Sequence, residues 1–157
     1  MEGPITLHLP DLAATGRLAA RLAPAARAGD VLLLEGPLGA GKSAFARAFL
    51  RHLAGDPALE VPSPSFTLVQ SYELPDGRMA HHFDLYRLSG PTDLTELGWE
   101  EAREGIVLVE WPDRLGALRP TAEDPTALTL ALAHGPAGEA RLARFSGWAG
   151  RLGALLA

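Results

Sequence analysis

Residues 36–43 read Gly-Pro-Leu-Gly-Ala-Gly-Lys-Ser, which has the spacing G-x-x-x-x-G-K-[ST] of a phosphate-binding loop. Glycines let the backbone turn successive N–H groups toward phosphates at the positive end of a helix dipole. Lys42 would then reach the β- and γ-phosphates, and the Ser43 hydroxyl would coordinate Mg²⁺. A chance glycine-rich turn is the alternative, but the only lysine of the chain occupies the lysine position of the motif. The predicted nucleotide-binding residues of this loop are Gly39, Ala40, Gly41, Lys42, Ser43 and Ala44.

Two carboxylates are candidates for holding the metal ion. Glu110 follows the apolar run 106–109, and Asp84 follows His81-His82-Phe83. Nucleotide hydrolysis places an acidic residue near the phosphate loop, so either carboxylate fits if its strand lies beside the loop strand. The alternatives are a surface carboxylate at a strand end for Glu110 and a helix or turn cap for Asp84. The two histidines lack the spacing of metal ligands and are expected to alternate across a strand.

Other side chains near these positions have a possible role in nucleotide binding. Ser65 and Thr67 place hydroxyls in the loop 61–67, where two prolines exclude a helix, and such a loop is able to close over a γ-phosphate. An ordinary surface loop is the alternative. Trp111 directly follows Glu110 and would cover the nucleotide pocket, contact a partner or pack in the core.

The number of lysines helps to indicate which nucleotide the loop would bind. Guanine-specific GTPases use an Asn/Thr-Lys-x-Asp element, and this chain has no lysine besides Lys42. That element is therefore absent, which favours ATP.

The elements that position these residues follow an α/β pattern. The continuous apolar run 31–34 is typical of a strand buried on both faces, and an amphipathic helix follows the glycine-rich loop. Asp11 is placed to cap an earlier helix, and the turn signals at 75–78 and 135–138 indicate two hairpins. The predicted strands are 5–9, 31–34, 68–74, 79–85, 106–110, 128–133 and 140–145. The predicted helices run from 12 to before 29, from 42 to 53, from 91 to 103 with a break near Gly98, and from 148 to 156.

Composition limits the classes of protein that remain. The 157 residues fit one domain, 1–157, and the absence of cysteine excludes disulfides, thiolate metal sites and cysteine nucleophiles. A formal charge of −5 gives little attraction to nucleic acid. Apolar runs are far too short to span a bilayer, and the first four residues lack the basic start of a signal peptide. We expect a cytoplasmic protein without membrane association.

Four motifs in order make the chain similar to the TsaE (YjeE) family, small bacterial ATPases of the machinery that makes threonylcarbamoyladenosine at tRNA position 37. They are Leu-Gly-Ala-Gly-Lys-Ser at 38–43, Ser-Pro-Ser-Phe-Thr-Leu-Val at 63–69, His-Phe-Asp-Leu-Tyr-Arg-Leu at 82–88 and Val-Glu-Trp-Pro at 109–112. The first motif alone would indicate only a superfamily, whereas the other three together are specific. The resemblance covers roughly residues 34–112.

The resemblance implies a P-loop NTPase-like single domain, with a mixed β-sheet flanked by helices and a C-terminal β-hairpin. It implies Mg²⁺ ligation by Ser43 and Glu110, and it places Asp84 near the metal or the attacking water. Ser65, Phe66 and Thr67 would form a switch-like segment, with Thr67 among the catalytic residues. Leu12 and Gly138 are implied to lie near the adenine. Ser43 and Ser65 stand where the family often has threonine, and both keep the hydroxyl.

The resemblance also implies a function and partners. The chain would bind and slowly hydrolyse ATP as an accessory subunit that works with TsaB and TsaD, with tRNA reached only through the complex. The main alternative is a small-molecule kinase with a P-loop core, which would need a second substrate pocket and an arginine-bearing lid. Arg114 and Arg119 are the arginines to consider there, although Asp113, Gly116 and Pro120 around them suggest a surface connection. A nucleotide-gated interaction module without turnover is a third possibility.

Overall fold

The computed structural model describes residues 4–90, 92–148 and 150–156 of the chain. Its seven strands are β1 (Ile5–Leu9), β2 (Val31–Glu35), β3 (Val69–Glu73), β4 (Met79–Asp84), β5 (Ile106–Glu110), β6 (Ala127–His134) and β7 (Arg141–Gly147). Its α-helices are α1 (Leu12–Leu22), α2 (Lys42–Ala54), α3 (Thr92–Glu96), α4 (Trp99–Ala102) and α5 (Leu152–Leu155). Short 3-10 helices span Ala23–Ala25 and Pro112–Leu118.

The strands form one mixed sheet in the order β1-β7-β6-β2-β5-β4-β3. The four central strands, β6, β2, β5 and β4, run parallel, and the outer strands join them by antiparallel pairing. In the parallel registers, Glu110 pairs with both Leu34 and Asp84. The carboxyl ends of β2, β4 and β5 therefore meet at one edge of the sheet, where ligands of open α/β sheets bind.

Apolar side chains cover the sheet on both faces. On one face, Leu32 and Leu108 pack in a cluster with Phe45 and Phe49 of α2 and with residues of α1. On the other face, Val109 packs in a cluster that includes Phe83 and Trp99. Because β2 and β5 are buried on both faces, they form a rigid support for the loops that leave their carboxyl ends.

Most of the predicted elements are confirmed, with changes of one or two residues at their ends, but the first predicted helix ends early, at Leu22, and the 3-10 helix Ala23–Ala25 follows it. The strand, loop and helix over 31–54, both hairpins and the strand 106–110 are present. The predicted helix broken near Gly98 is two short helices, because Gly98 adopts a left-handed conformation with φ of 79°. The predicted start of that helix at Pro91 lies outside the described residues.

Two predictions near the end of the chain and after β5 need correction. The predicted helix 148–156 is shorter, because Trp148 has φ of 46° and its buried indole Nε1 donates to the Thr126 carbonyl, 3.1 Å away; helix α5 begins only at Leu152. Ala149 lies outside the described residues. The segment predicted as a surface connection contains the 3-10 helix Pro112–Leu118, in which Leu115 is fully buried.

Candidate functional site

The loop between β2 and α2 has the backbone conformation that a phosphate cradle needs. Gly36, Gly39 and Gly41 have φ of 143°, 78° and 106°, values that L side chains rarely adopt. At Gly36, a Cβ atom would lie 2.4 Å from the carbonyl oxygen of Leu132, so a side chain there has no room. The loop leads directly into α2, so the first N–H groups of a 13-residue helix face the same region.

Lys42 is held inside this loop. Its Nζ donates to the Gly36 carbonyl and lies 3.4 Å from the centroid of the Trp111 ring. The ring reaches this position because Trp111 has a left-handed backbone, φ 60°, directly after β5. Burial lowers the pKa of the Lys42 ammonium group, and the nearby carboxylates of Glu110, Asp84 and Asp113 oppose that shift.

The two oxygens of the Glu110 carboxylate contact two different side chains. Ser43 Oγ donates to its Oε1 over 3.0 Å, and His82 Nε2 lies 2.7 Å from its Oε2. Both Glu110 and His82 are buried, with relative exposures of 2% and 1%. The register of β4 and β5 brings these side chains together, and the carboxylate that the sequence predicted as a metal ligand thus contacts the loop serine directly.

Asp84 contacts the loop that carries the predicted switch. Ser65 Oγ donates to Asp84 Oδ2 over 3.4 Å, and Ser63 Oγ lies 2.7 Å from Ser65 Oγ. The other carboxylate oxygen, Oδ1, accepts the Tyr86 N–H over 3.1 Å. The cap predicted as an alternative for Asp84 is therefore partly present, and its side chain also lines the same cleft as Lys42 and Ser43.

The oxygen atoms at this edge of the sheet fit a magnesium ion. Ser43, Asp84 and Glu110 supply one hydroxyl and two carboxylates, the hard donors that Mg²⁺ prefers, and nucleotide phosphates and water commonly supply the rest. Because the Ser43 hydroxyl donates its hydrogen bond to Glu110, the lone pairs of its oxygen stay available for a metal.

Most of the predicted site residues come together in one cleft. It is lined by Leu12, Gly39, Gly41, Lys42, Ser43, Ala44, Ser65, Asp84, Glu110 and Trp111, and also by Leu38, Ser63 and Arg141. Three predicted residues do not line it. Within the loop, Ala40 is fully buried. Thr67 is exposed and accepts from Gln70 Nε2 over 3.3 Å, and Gly138 lies in the turn between β6 and β7.

Sequence reasoning missed two side chains of this region. His82 was assigned only to alternation along a strand, although it stands two residues before Asp84 and so shares its face of β4. Arg141 belongs to none of the four motifs, yet it lines the cleft and donates to the carbonyls of Gly39 and Ala40. No local pattern indicates that contact across about a hundred residues of chain.

The arginines considered for a kinase lid have structural partners. Arg114 Nη1 donates to the Leu88 carbonyl over 3.3 Å. Arg119 forms ion pairs with Glu35 at 3.1 Å and Asp113 at 3.0 Å, which hold the 3-10 helix Pro112–Leu118 against the end of β2. These contacts give the kinase alternative no support.

The parallel central strands, the glycine-rich loop after β2 and the acidic side chains at the sheet edge define a P-loop NTPase-like α/β protein. The sequence model of the family Threonylcarbamoyl adenosine biosynthesis protein TsaE matches residues 9–141. The chain belongs to the TsaE family, and the family resemblance drawn from its motifs is confirmed. The name of that family refers to threonylcarbamoyl adenosine biosynthesis.

Individual relatives agree with this assignment. The chain is 41% identical over 100 residues to a Rickettsia felis tRNA threonylcarbamoyladenosine biosynthesis protein TsaE, an alignment that covers 63% of this chain and 57% of that protein. The chain thus spans little more than half the length of that relative. The Synechocystis protein of the same name is 38% identical over 123 residues, covering 74% of this chain and 76% of its own length.

A solved structure has the same fold. The crystal structure of Bacillus subtilis YdiB superposes with a TM-score of 0.72 at 28% sequence identity, covering 99% of this chain and 93% of that one. Among the described residues, none of the helices has the length and apolar character needed to cross a membrane.

Proposed function

We propose that the protein binds ATP with Mg²⁺ and hydrolyses it slowly, as an accessory subunit of tRNA adenosine-37 threonylcarbamoylation. One observation carries this proposal: a complete phosphate loop whose Ser43 contacts Glu110 at the carboxyl edge of the sheet. ATP is favoured over GTP because the guanine-binding element needs a second lysine, and Lys42 is the only one.

Each part of the site has a stated task. The loop amides and Lys42 hold the phosphates, and Lys42 would leave the Gly36 carbonyl and the Trp111 ring to do so. Ser43 and Glu110 would hold Mg²⁺, which when bound neutralises charge on the β- and γ-phosphates. Asp84 would hold the metal's water or orient the attacking water, because it lines the cleft beside Ser65.

In this proposal the protein acts as part of a complex. TsaB and TsaD are the proposed partners, and tRNA would be reached only through them, in the cytoplasm. The formal charge of −5 supports protein partners over direct tRNA binding, which depends on neutralising phosphates.

The test is a calorimetric titration of the full chain with ATP, ADP and GTP in the presence of Mg²⁺, followed by phosphate release alone and with TsaB and TsaD. Binding of ATP but not GTP, with turnover that requires Mg²⁺, is the expected result. Failure of all three nucleotides to bind would refute the proposal, and transfer of phosphate to a small acceptor instead of water would favour the kinase.

A further inference from the structure

The guanidinium of Arg141 connects two loops that are far apart in sequence. Its Nε donates to the Ala40 carbonyl and its Nη2 to the Gly39 carbonyl, each over 3.0 Å. Its Nη1 donates to the carbonyls of Gly138 and Ala140, each over 2.8 Å. All three nitrogens of one side chain therefore contact backbone oxygens, two in the phosphate loop and two in the turn between β6 and β7.

The base of this side chain is fixed. Arg141 is the first residue of β7, where it pairs with His134 of β6 on one side and with Leu9 of β1 on the other. The turn that precedes it is tight, because Gly135 N–H donates to the Ala140 carbonyl over 2.8 Å and a Cβ at Gly135 would lie 2.8 Å from the Ala140 carbonyl carbon. Because β7 lies between β1 and β6, the backbone of Arg141 is paired on both sides, and its guanidinium meets the acceptor carbonyls in a defined geometry.

The acceptors in the phosphate loop are informative. In a peptide group, the carbonyl of one residue and the N–H of the next point in opposite directions. Bonds to the carbonyls of Gly39 and Ala40 therefore fix the orientation of the Ala40 and Gly41 N–H groups, of which the Ala40 N–H donates to the Pro37 carbonyl over 3.1 Å within the loop. Gly41 N–H belongs to the set that a phosphate loop turns toward its ligand.

From this geometry we infer that Arg141 is a positioning residue for nucleotide binding: its bonds to the Gly39 and Ala40 carbonyls hold the phosphate loop with the Gly41 amide already turned toward the phosphates. This inference rests on the proposed function, because it assumes that the loop binds ATP. It assigns Arg141 no contact with the nucleotide. Preorganisation of this kind raises affinity by removing the cost of ordering the loop when the ligand binds.

The bonding pattern distinguishes positioning from simple charge. A guanidinium presents five N–H donors in a rigid plane, whereas a lysine ammonium carries three donors at one point and cannot reach four carbonyls in two loops. Arg141→Lys keeps the positive charge and loses the pattern, and Arg141→Met loses both. Arg144→Met is a matched control, because Arg144 is an exposed arginine on the same strand.

The experiment measures the Kd of a non-hydrolysable ATP analogue with Mg²⁺ by calorimetry, together with kcat and KM for ATP, on the full chain. Both Arg141 variants should bind the analogue about tenfold more weakly, a loss of about 1.4 kcal/mol, whereas Arg144→Met should bind it normally. KM should rise with little change in kcat, because the carboxylates are untouched. Unchanged analogue affinity in Arg141→Met, or full affinity in Arg141→Lys, would overturn the inference alone. Absence of binding by the unaltered protein would overturn the proposed function and the inference with it.

A second measurement needs no variant. If Arg141 couples the two loops, inorganic tripolyphosphate with Mg²⁺, which lacks the adenine implied to lie near Gly138, should slow amide hydrogen exchange in residues 36–43 and also in residues 135–140 of the unaltered protein, since coupling between sites acts in both directions. Slowing confined to residues 36–43 would contradict the inference even if the Arg141 variants failed to fold.

Discussion

Ser43 and Glu110 form the polar pair that the proposed magnesium ion would contact. The serine hydroxyl donates a hydrogen bond to Glu110 Oε1, and His82 Nε2 contacts the other carboxylate oxygen, Oε2. A buried carboxylate with partners at both oxygens has a fixed orientation, because any rotation would leave a buried polar atom unpaired. The site is therefore built around a rigid Glu110, with Asp84 beside the serine loop as the second carboxylate.

Lys42 gives the most direct test of phosphate binding. Lys42→Ala should weaken binding of an ATP analogue by a factor of ten or more, about 1.4 kcal/mol or above, because the only cation inside the loop is removed. The fold should persist, since among the described residues the Lys42 ammonium bonds one loop carbonyl and lies on the face of Trp111, and neither contact joins two core elements. Calorimetry measures the affinity and circular dichroism the fold. Normal turnover by the folded variant would contradict the assignment of the loop.

Replacing each carboxylate by its amide should distinguish the roles of Glu110 and Asp84. Glu110→Gln should raise the Mg²⁺ concentration needed for half-maximal turnover about tenfold, because a neutral amide is a poor ligand for Mg²⁺. Asp84→Asn should lower kcat by a factor on the order of 100 with a smaller effect on ATP affinity. Steady-state rates over a Mg²⁺ series measure both effects.

Asp113→Asn is the control for that experiment, because Asp113 is a carboxylate with 78% side-chain exposure near the same edge of the sheet. Its Mg²⁺ dependence should match that of the unaltered protein. Identical Mg²⁺ profiles for Glu110→Gln and the control would remove Glu110 from the metal site.

At the scale of elements, the end of the chain is tied to the start of β2 by one ion pair. Arg151 donates from Nη1 to Asp30 Oδ2 over 2.8 Å and from Nη2 to Oδ1 over 2.9 Å, and its guanidinium lies 4.3 Å from the Trp148 ring centroid. The Asp30 side chain is only 3% exposed. The pair holds α5 and the β7 end against the body of the sheet.

Arg151→Met should therefore destabilise the fold by about 3 kcal/mol, because it leaves a buried carboxylate without its cation. Urea unfolding measures the change, and Arg144→Met, which removes an exposed arginine of β7, should cost little. The double variant Arg151→Met with Asp30→Asn should recover part of the loss. No recovery would show that the other contacts of Arg151, with the Trp148 ring and the carbonyls of Ala25 and Pro125, stabilise the end of the chain, and not the ion pair.

The residue that leads into β6 predicts a pH dependence of stability. Asp124 Oδ1 accepts the Thr126 hydroxyl over 2.6 Å and the Thr126 N–H over 2.9 Å, and these bonds hold the pKa of Asp124 below its ordinary 3.8. A carboxyl group with a lowered pKa in the folded state stabilises the fold above pH 3.8, and this stabilisation is lost as the pH falls through the lowered value.

The test compares Asp124→Asn with the unaltered protein by urea unfolding at pH 7 and pH 3. The variant keeps an acceptor oxygen and removes the charge, so it should be less stable by about 1 kcal/mol at pH 7, with a smaller difference at pH 3. A difference that stays constant between the two pH values would mean that ionisation of Asp124 contributes nothing.

The elements that sequence reasoning found are those with a local signal. The apolar run Val31–Glu35, the glycines after it and the amphipathic α2 follow one another within 25 residues, so pattern and spacing sufficed. The parallel pairing of β2 with β6 has no such signal, because the partners lie far apart in the chain. The same reason hid the contacts of His82 with Glu110 and of Arg141 with the phosphate loop, which exist only once the sheet has formed.

For the whole molecule, the exposed apolar side chains near the cleft are the features that a partner would contact. Phe66 is 82% exposed and Leu38 is 66% exposed, and the loop that carries Phe66 is joined to Asp84 through Ser65. Arg87 lies with its guanidinium 4.6 Å from the Phe66 ring centroid. A γ-phosphate near Ser65 would therefore act on the same loop that presents Phe66, and a nucleotide shifts such a loop only by its differential affinity for two states.

We therefore expect the protein to bind a TsaB–TsaD assembly more tightly with an ATP analogue than with ADP or without nucleotide. Calorimetry or gel filtration in the three states measures this affinity, and equal affinity in all three would leave the nucleotide-switch mechanism without support.

Phe66→Ala should weaken docking about tenfold, as loss of a central aromatic contact does, without changing affinity for the analogue. Met79→Ala is the control, because Met79 is exposed at the opposite, amino end of β4.

Free tRNA should bind negligibly at physiological salt, because a protein of net charge −5 gives little electrostatic attraction to tRNA phosphates. Salt-sensitive binding to tRNA alone would overturn the conclusion that the partner is protein.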